Sequence, residues 1–262
     1  MSGTAITVIG FTIIFISTAA GAALVFFFKN QMPERLNTLF LGFAAGVMTA
    51  ASVWSLLIPS IEGAQSFGRW SFVPAVVGFI IGGIFLVLVD KILPHFHKGT
   101  KREEGPPNHL KKSAKLFLAV TIHNIPEGLA VGFAFGAAAA LGEYAAFLSA
   151  LGLAIGMAIQ NFPEGVAVAL PMKNVVHSCT KAFFYGAFSG IVEPVFATVG
   201  YFLAANLSAA QPWLLSFAAG AMIFVVAEDL IPDSKLSEHP HLGTWGVMLG
   251  FAAMMALDVA LG

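Results

Sequence analysis

Charge is the scarcest commodity in this 262-residue chain: only 10% of residues are Asp, Glu, Lys or Arg, against about 25% in an ordinary soluble domain. There is a single cysteine, Cys179. That excludes an internal disulfide and any thiolate cluster, and leaves Cys179 as a small buried hydrophobe. No basic patch interleaved with aromatics is present, so nucleic acid is not an expected partner. Neither a nucleotide-binding signature nor an HExxH zinc-protease helix occurs. The long apolar runs do not alternate with period two, which argues against a membrane β-barrel. What fills the space is hydrophobic: 58% of residues, with a mean hydropathy of +0.85. So much apolar surface with so little charge cannot face water, and the fold class is an all-α integral membrane protein.

A spanning helix needs about 20 mostly apolar residues. Eight segments qualify, at 4–28, 36–58, 72–93, 114–139, 146–170, 182–205, 212–231 and 242–261, making one transmembrane domain over 1–262. The first is not read as a cleaved signal, because it lacks a positive n-region and "FFFKN" carries the apolar run on to a lysine. Twelve of the thirteen Lys and Arg fall in or beside the connections 1–2, 3–4, 5–6 and 7–8; the thirteenth, Arg69, lies in the 2–3 connection. The positive-inside rule then puts those four connections in the cytoplasm and both termini outside, as in a multi-pass protein of the cell inner (plasma) membrane. The 3–4 connection, about 95–112, reads as a flexible cytoplasmic linker from its Gly, Pro and mixed charge. Its His95, His97 and His109 could collect metal, although a solvated loop is the plainer reading. Small-xxx-small patterns at 42–46, 78–82, 128–132 and 186–190 permit close helix packing and say little about function.

Two stretches are nearly the same sentence written twice: "HNIPEGLAVG" at 123–132 and "QNFPEGVAVA" at 160–169. On a helix, His123, Asn124 and Glu127 share a face, as do Gln160, Asn161 and Glu164. An ionisable group in the bilayer core costs about 2.5–3.5 kcal/mol on insertion scales and persists where it lines a polar cavity or binds something. Pro126 and Pro163 remove the hydrogen bonds to the Ile122 and Ile159 carbonyls, which should loosen each helix before its glutamate and free a carbonyl oxygen. Both motifs sit about ten residues from the cytoplasmic ends of antiparallel neighbours, so at 1.5 Å per residue their heights agree. This gives the fold an inverted-repeat character with a site between helices 4, 5 and 6. Glu193, beside Pro194 on helix 6, reaches the same level.

Three carboxylates packed together repel unless they are protonated or neutralised, and a divalent cation neutralises them. Imidazole, carboxylate and amide together suit Zn²⁺, Fe²⁺, Mn²⁺, Co²⁺ or Ni²⁺, and could take Cd²⁺. The absence of thiolates argues against a permanent structural zinc site and for an ion that must be released. Two other functions stay open on the residues alone. An intramembrane metal-dependent hydrolase would use His123 and Glu127 as half of a metalloenzyme helix. A proton or organic-solute carrier would use the glutamates without metal.

The paired motif and the eight helices resemble the ZIP (Zrt/Irt-like) family of divalent metal transporters, most of all its bacterial GufA-type branch. The resemblance covers essentially the whole chain. It implies a transporter rather than an enzyme, with zinc as the transported substrate and a two-metal site. The first ion would be held by His123, Glu127, Gln160 and Glu164, with Met48 as a soft neighbour. The second would be held by Asn124, Glu127, Asn161, Glu164 and Glu193. Some family members carry His at the position of Gln160 and Asp at that of Asn161; here both are neutral amides, which bears on how firmly the second ion is held. Asp258 would be an entrance carboxylate, and Asp90, His95, Glu228 and Asp229 would be exit ligands. The resemblance further implies a homodimer, and an elevator-like motion of helices 1, 4, 5 and 6 against 2, 3, 7 and 8.

Overall fold

The computed structural model describes residues 1–28, 32–92, 95–96, 103–104, 112–235 and 238–261. Among them are eight helices long and apolar enough to cross a membrane. They are α1 (Gly3–Phe26), α2 (Glu34–Gly63), α3 (Phe72–Ile92), α4 (Lys112–Leu141), α5 (Tyr144–Val176), α6 (Cys179–Asn206), α7 (Ser208–Ser234) and α8 (Pro240–Leu261). The expected linker over 95–112 falls mostly outside the described residues, His97 and His109 included; within it His95–Phe96 pairs antiparallel with Glu103–Glu104.

Two expected helix ends move outward by five or more residues. α2 runs to Gly63 rather than 58, and α5 runs through Pro171 to Val176 rather than stopping at 170. Both extensions carry polar residues or proline, which a hydropathy window discounts although a helix tolerates them at its end. α5 stops where His177 turns left-handed, at φ 51°. α4 and α5 stay helical through Pro126 and Pro163, although neither proline can donate to the carbonyl four residues before it. The break falls in α6, at Ile191 between the helical stretches Cys179–Gly190 and Val192–Asn206. There the carbonyl orphaned by Pro194 belongs to Gly190, a weak helix former, whereas Pro126 and Pro163 orphan carbonyls of isoleucine.

Two further irregularities share a pattern. α2 widens into a π turn over Ser52–Leu57, and α7 does so over Val226–Leu230. Each π turn runs directly into Ile-Pro, at Ile58-Pro59 and Ile231-Pro232. A proline without an N–H leaves the preceding turn free to widen, and such bulges gather at functional sites.

The helices pack as two sets. α1 lies along α5 and α4 along α6, with α4 also against α5; α2 lies along α8 and α3 along α7. The sets meet where α4 and α5 touch α2, α7 and α8. Lipid-like surroundings supply no hydrophobic drive between helices, so these seams depend on close backbone approach. All four small-xxx-small patterns lie on them: 42–46 against α8, 78–82 against α7, 128–132 against α6 and 186–190 against α1. At Gly128 the approach is close enough that a Cβ would strike the backbone carbonyl of Glu193.

Candidate metal site

α4 and α5 run antiparallel and bring the two copies of the motif to one level. Five of the expected residues line a single cavity of about 130 Å³: Met48 from α2, His123 and Glu127 from α4, and Gln160 and Glu164 from α5. Asp229 from the π turn of α7 lines it as well. Its lining also takes in Met32 and Asn37, just before and within the first turn of α2, and Asp233, at the end of α7. That is the side of the lysine-rich connections. Val47, the neighbour of Met48 in sequence, packs with Gly156 and Met254, and Met254 is buried.

The polar atoms facing this cavity are mostly acceptors. Glu127 Oε2, Gln160 Oε1 and Glu164 Oε1 are buried without a hydrogen-bond partner, as is Oδ1 of Asn124, whose residue lies off the lining. Buried acceptors almost always have partners, so three in one place point to a cation or to water held there. His123 Nε2 lies 3.1 Å from Asp229 Oδ2. The contact joins the α4 side of the molecule to the α7 side. Among the described residues no three His, Cys, Asp or Glu side chains converge closely enough to hold an ion alone. The converging set is mixed, with an amide oxygen and a thioether among the carboxylates.

Asn124, Asn161 and Glu193 lie together but off the cavity lining. All three are fully buried. Asn161 Nδ2 donates to Glu193 Oε2 and to the Ile14 carbonyl at 3.3 Å. Asn124 Nδ2 donates to the Ser189 carbonyl at 3.0 Å and to Glu193 Oε1 at 3.4 Å.

The outlying residues divide. Asp258 accepts a 2.6 Å hydrogen bond from Ser55, in the π turn of α2, away from the cavity. Glu228 is exposed and does not line the cavity, although its neighbour Asp229 does, because adjacent residues on a helical turn diverge by about 100°. The side chains of Asp90 and His95 lie outside the described residues. Three residues went unnoticed in the sequence. Asn37 and Asp233 line the cavity, and the Thr18 hydroxyl of α1 lies 3.3 Å from Glu193 Oε1. A lone threonine in an apolar helix gives no signal, since its hydroxyl can bond its own helix, as Thr18 also does to Ile14.

The family profile described as "ZIP Zinc transporter" matches residues 4–116 and 113–258. This chain belongs to the ZIP family. Among the relatives is the human zinc transporter ZIP11, 38% identical over an alignment of 323 residues that covers 94% of each chain. The zinc transporter ZIPB of Bordetella bronchiseptica is 36% identical over 251 residues, covering 95% of this chain and 79% of its own. The zinc transporter GufA of Myxococcus xanthus is 35% identical over 250 residues, covering 94% and 95%. The ZIP profile is that of a transporter, so the hydrolase reading of the His123–Glu127 pair is not favoured.

Proposed function

We propose that this ZIP protein moves divalent transition-metal ions, zinc first, across the cell inner membrane into the cytoplasm by alternating access. The observation that carries this is the set of three unpartnered acceptor oxygens, of Glu127, Gln160 and Glu164, facing one cavity beside His123 and Met48. The ion is held there by carboxylate and amide oxygens, the imidazole of His123 and the thioether of Met48. Such mixed ligands suit Zn²⁺ and its neighbours Cd²⁺, Fe²⁺, Mn²⁺, Co²⁺ and Ni²⁺, and they suit release.

Direction follows from the charge bias. The lysine-rich connections lie inside, both termini lie outside, and the cavity opens inward past Asp229 and Asp233. Asp229 engages the same imidazole nitrogen that a departing ion would use, which favours release on that side. Asp258 stands at the outer end of α8, as an entrance carboxylate would. Sliding of α1, α4, α5 and α6 against the other four helices would carry the site between the two sides, and the functional unit is a homodimer.

The test is uptake of radioactive zinc by purified protein in liposomes. Cadmium should compete at concentrations comparable to zinc, while magnesium in large excess should not, because imidazole and thioether disfavour a hard cation. A flux of protons or organic solute that zinc neither accompanies nor inhibits would support the carrier reading instead.

A further inference from the structure

The ZIP resemblance implies two ions, the second at Asn124, Asn161 and Glu193, and here the geometry disagrees. Glu193 is fully buried in the first turn after the break in α6. Its carboxylate already receives two amide donors, Asn161 Nδ2 on Oε2 and Asn124 Nδ2 on Oε1, and Oε1 also shares the single Thr18 hydroxyl proton with the Ile14 carbonyl.

The amide orientations are fixed independently of Glu193. Asn124 Nδ2 is bonded to the Ser189 carbonyl and Asn161 Nδ2 to the Ile14 carbonyl. A backbone carbonyl can only accept, so the NH₂ end of each amide must face it. Those same NH₂ groups are what Glu193 meets. A cation beside Glu193 would therefore sit against N–H protons, which repel it, and would compete with the amide hydrogen bonds of Asn124 and Asn161; Asn124 keeps a buried, unpartnered Oδ1, but its NH₂ end is the one turned to Glu193. None of the three residues lines the cavity.

The chain of contacts continues outward. Asn161 turns its Oδ1 away from Glu193, where it accepts from Gln160 Nε2 at 3.5 Å. Gln160 Nε2 also lies 3.6 Å from the sulfur of Met157. With its nitrogen occupied on that side, Gln160 presents Oε1, unpartnered, as its remaining polar atom.

We infer that this chain binds and carries one ion at a time. Glu193 is a positioning residue that acts through Asn161 to aim the Gln160 oxygen into the cavity; it is not a metal ligand. The inference rests on the metal-binding reading of the cavity. It assigns the position of Asn161 as the determinant of ion number. An aspartate there has no NH₂ to donate to Glu193 and offers a second carboxylate instead.

The experiment is zinc stoichiometry and affinity of the purified full-length protein in detergent, by equilibrium dialysis, with zinc-edge X-ray absorption on the loaded samples. The expected result is one tightly bound zinc per chain, with no neighbouring metal in the absorption spectrum. Asn161→Asp should bind two. Glu193→Gln should keep one ion, with affinity lowered about 10- to 100-fold, as for other residues that orient ligands, and with one oxygen scatterer fewer around it. Loss of fold alone would not selectively remove one oxygen from an ion that remains bound. Two zinc ions per wild-type chain, one of them lost in Glu193→Gln, would overturn this inference and leave the transport reading standing. No bound zinc in the wild type would overturn both. If Asn161→Asp does not fold, the wild-type count and the Glu193→Gln spectrum decide the question.

Discussion

Removing the carboxylate of Asp229 should shift the balance between the two faces of the transporter. His123 is on α4 and Asp229 on α7, so their 3.1 Å contact crosses between the two helix sets that the proposed sliding would move past one another. A hydrogen bond to a charged group contributes about 1.5–3 kcal/mol net when buried. Here the side chains are 21% and 14% exposed, and water takes part of that, leaving about 1–2 kcal/mol. If the bond exists only in the conformation open past Asp233, Asp229→Ala raises that conformation by the same amount. At about 1.4 kcal/mol per factor of ten, the opposite conformation becomes roughly 5- to 30-fold more populated relative to it. The readout is a cysteine at Met254, which is buried beside Gly156 well along α8 from the lysine-bearing 7–8 connection. It would be placed in a Cys179→Ser background and labelled from the far side with a membrane-impermeant maleimide. Comparing rates with and without Asp229→Ala cancels whatever the cysteine itself does to the packing. The rate should rise 5- to 30-fold. Equal rates in the two backgrounds would refute the idea that this pair holds the conformation.

Replacing Glu127 or Glu164 by Ala should abolish zinc uptake at unchanged membrane expression, and His123→Ala should impair it severely; near-normal uptake by Glu164→Ala would remove that residue from the site. Gly128→Ala should lower thermal stability in detergent by about 1–3 kcal/mol, because the new methyl meets the Glu193 backbone rather than a movable side chain. Gly63→Ala is the control, since its Cβ would meet only Pro212 Cγ, at 3.6 Å, and should leave the melting temperature nearly unchanged. For orientation, a cysteine at Ser66 in a Cys179→Ser background should react with impermeant thiol reagents in intact cells, and one at Ser113 only after lysis. The reverse pattern would invert the proposed direction of transport.

The eight spans and the meeting of the two motifs were readable in the sequence because each depends on quantities that add along the chain. Apolar length selects a span, and rise per residue sets the height of His123, Glu127, Gln160 and Glu164. The local events were harder, because they turn on which residue a proline orphans. Pro126, Pro163 and Pro194 look alike in sequence, yet only the one whose freed carbonyl belongs to a glycine breaks its helix. Leu-Ile-Pro recurs at 57–59 and 230–232, at the end of each π turn, and Ser55 and Asp229 sit within those turns.

Hardest of all was direction. Spacing puts Asn124, Asn161 and Glu193 at one level as readily as it does the cavity residues, and nothing in spacing says which end of an amide points where. That is settled by the Ser189 and Ile14 carbonyls, which come from α6 and α1, far away in sequence. A residue type suited to holding a metal thus becomes a donor to a carboxylate, because two distant backbone oxygens accept its protons first. A motif read from one helix pair can therefore name the residues of such a site without fixing how many ions it holds. For this chain, that number turns on whether position 161 carries an NH₂ group.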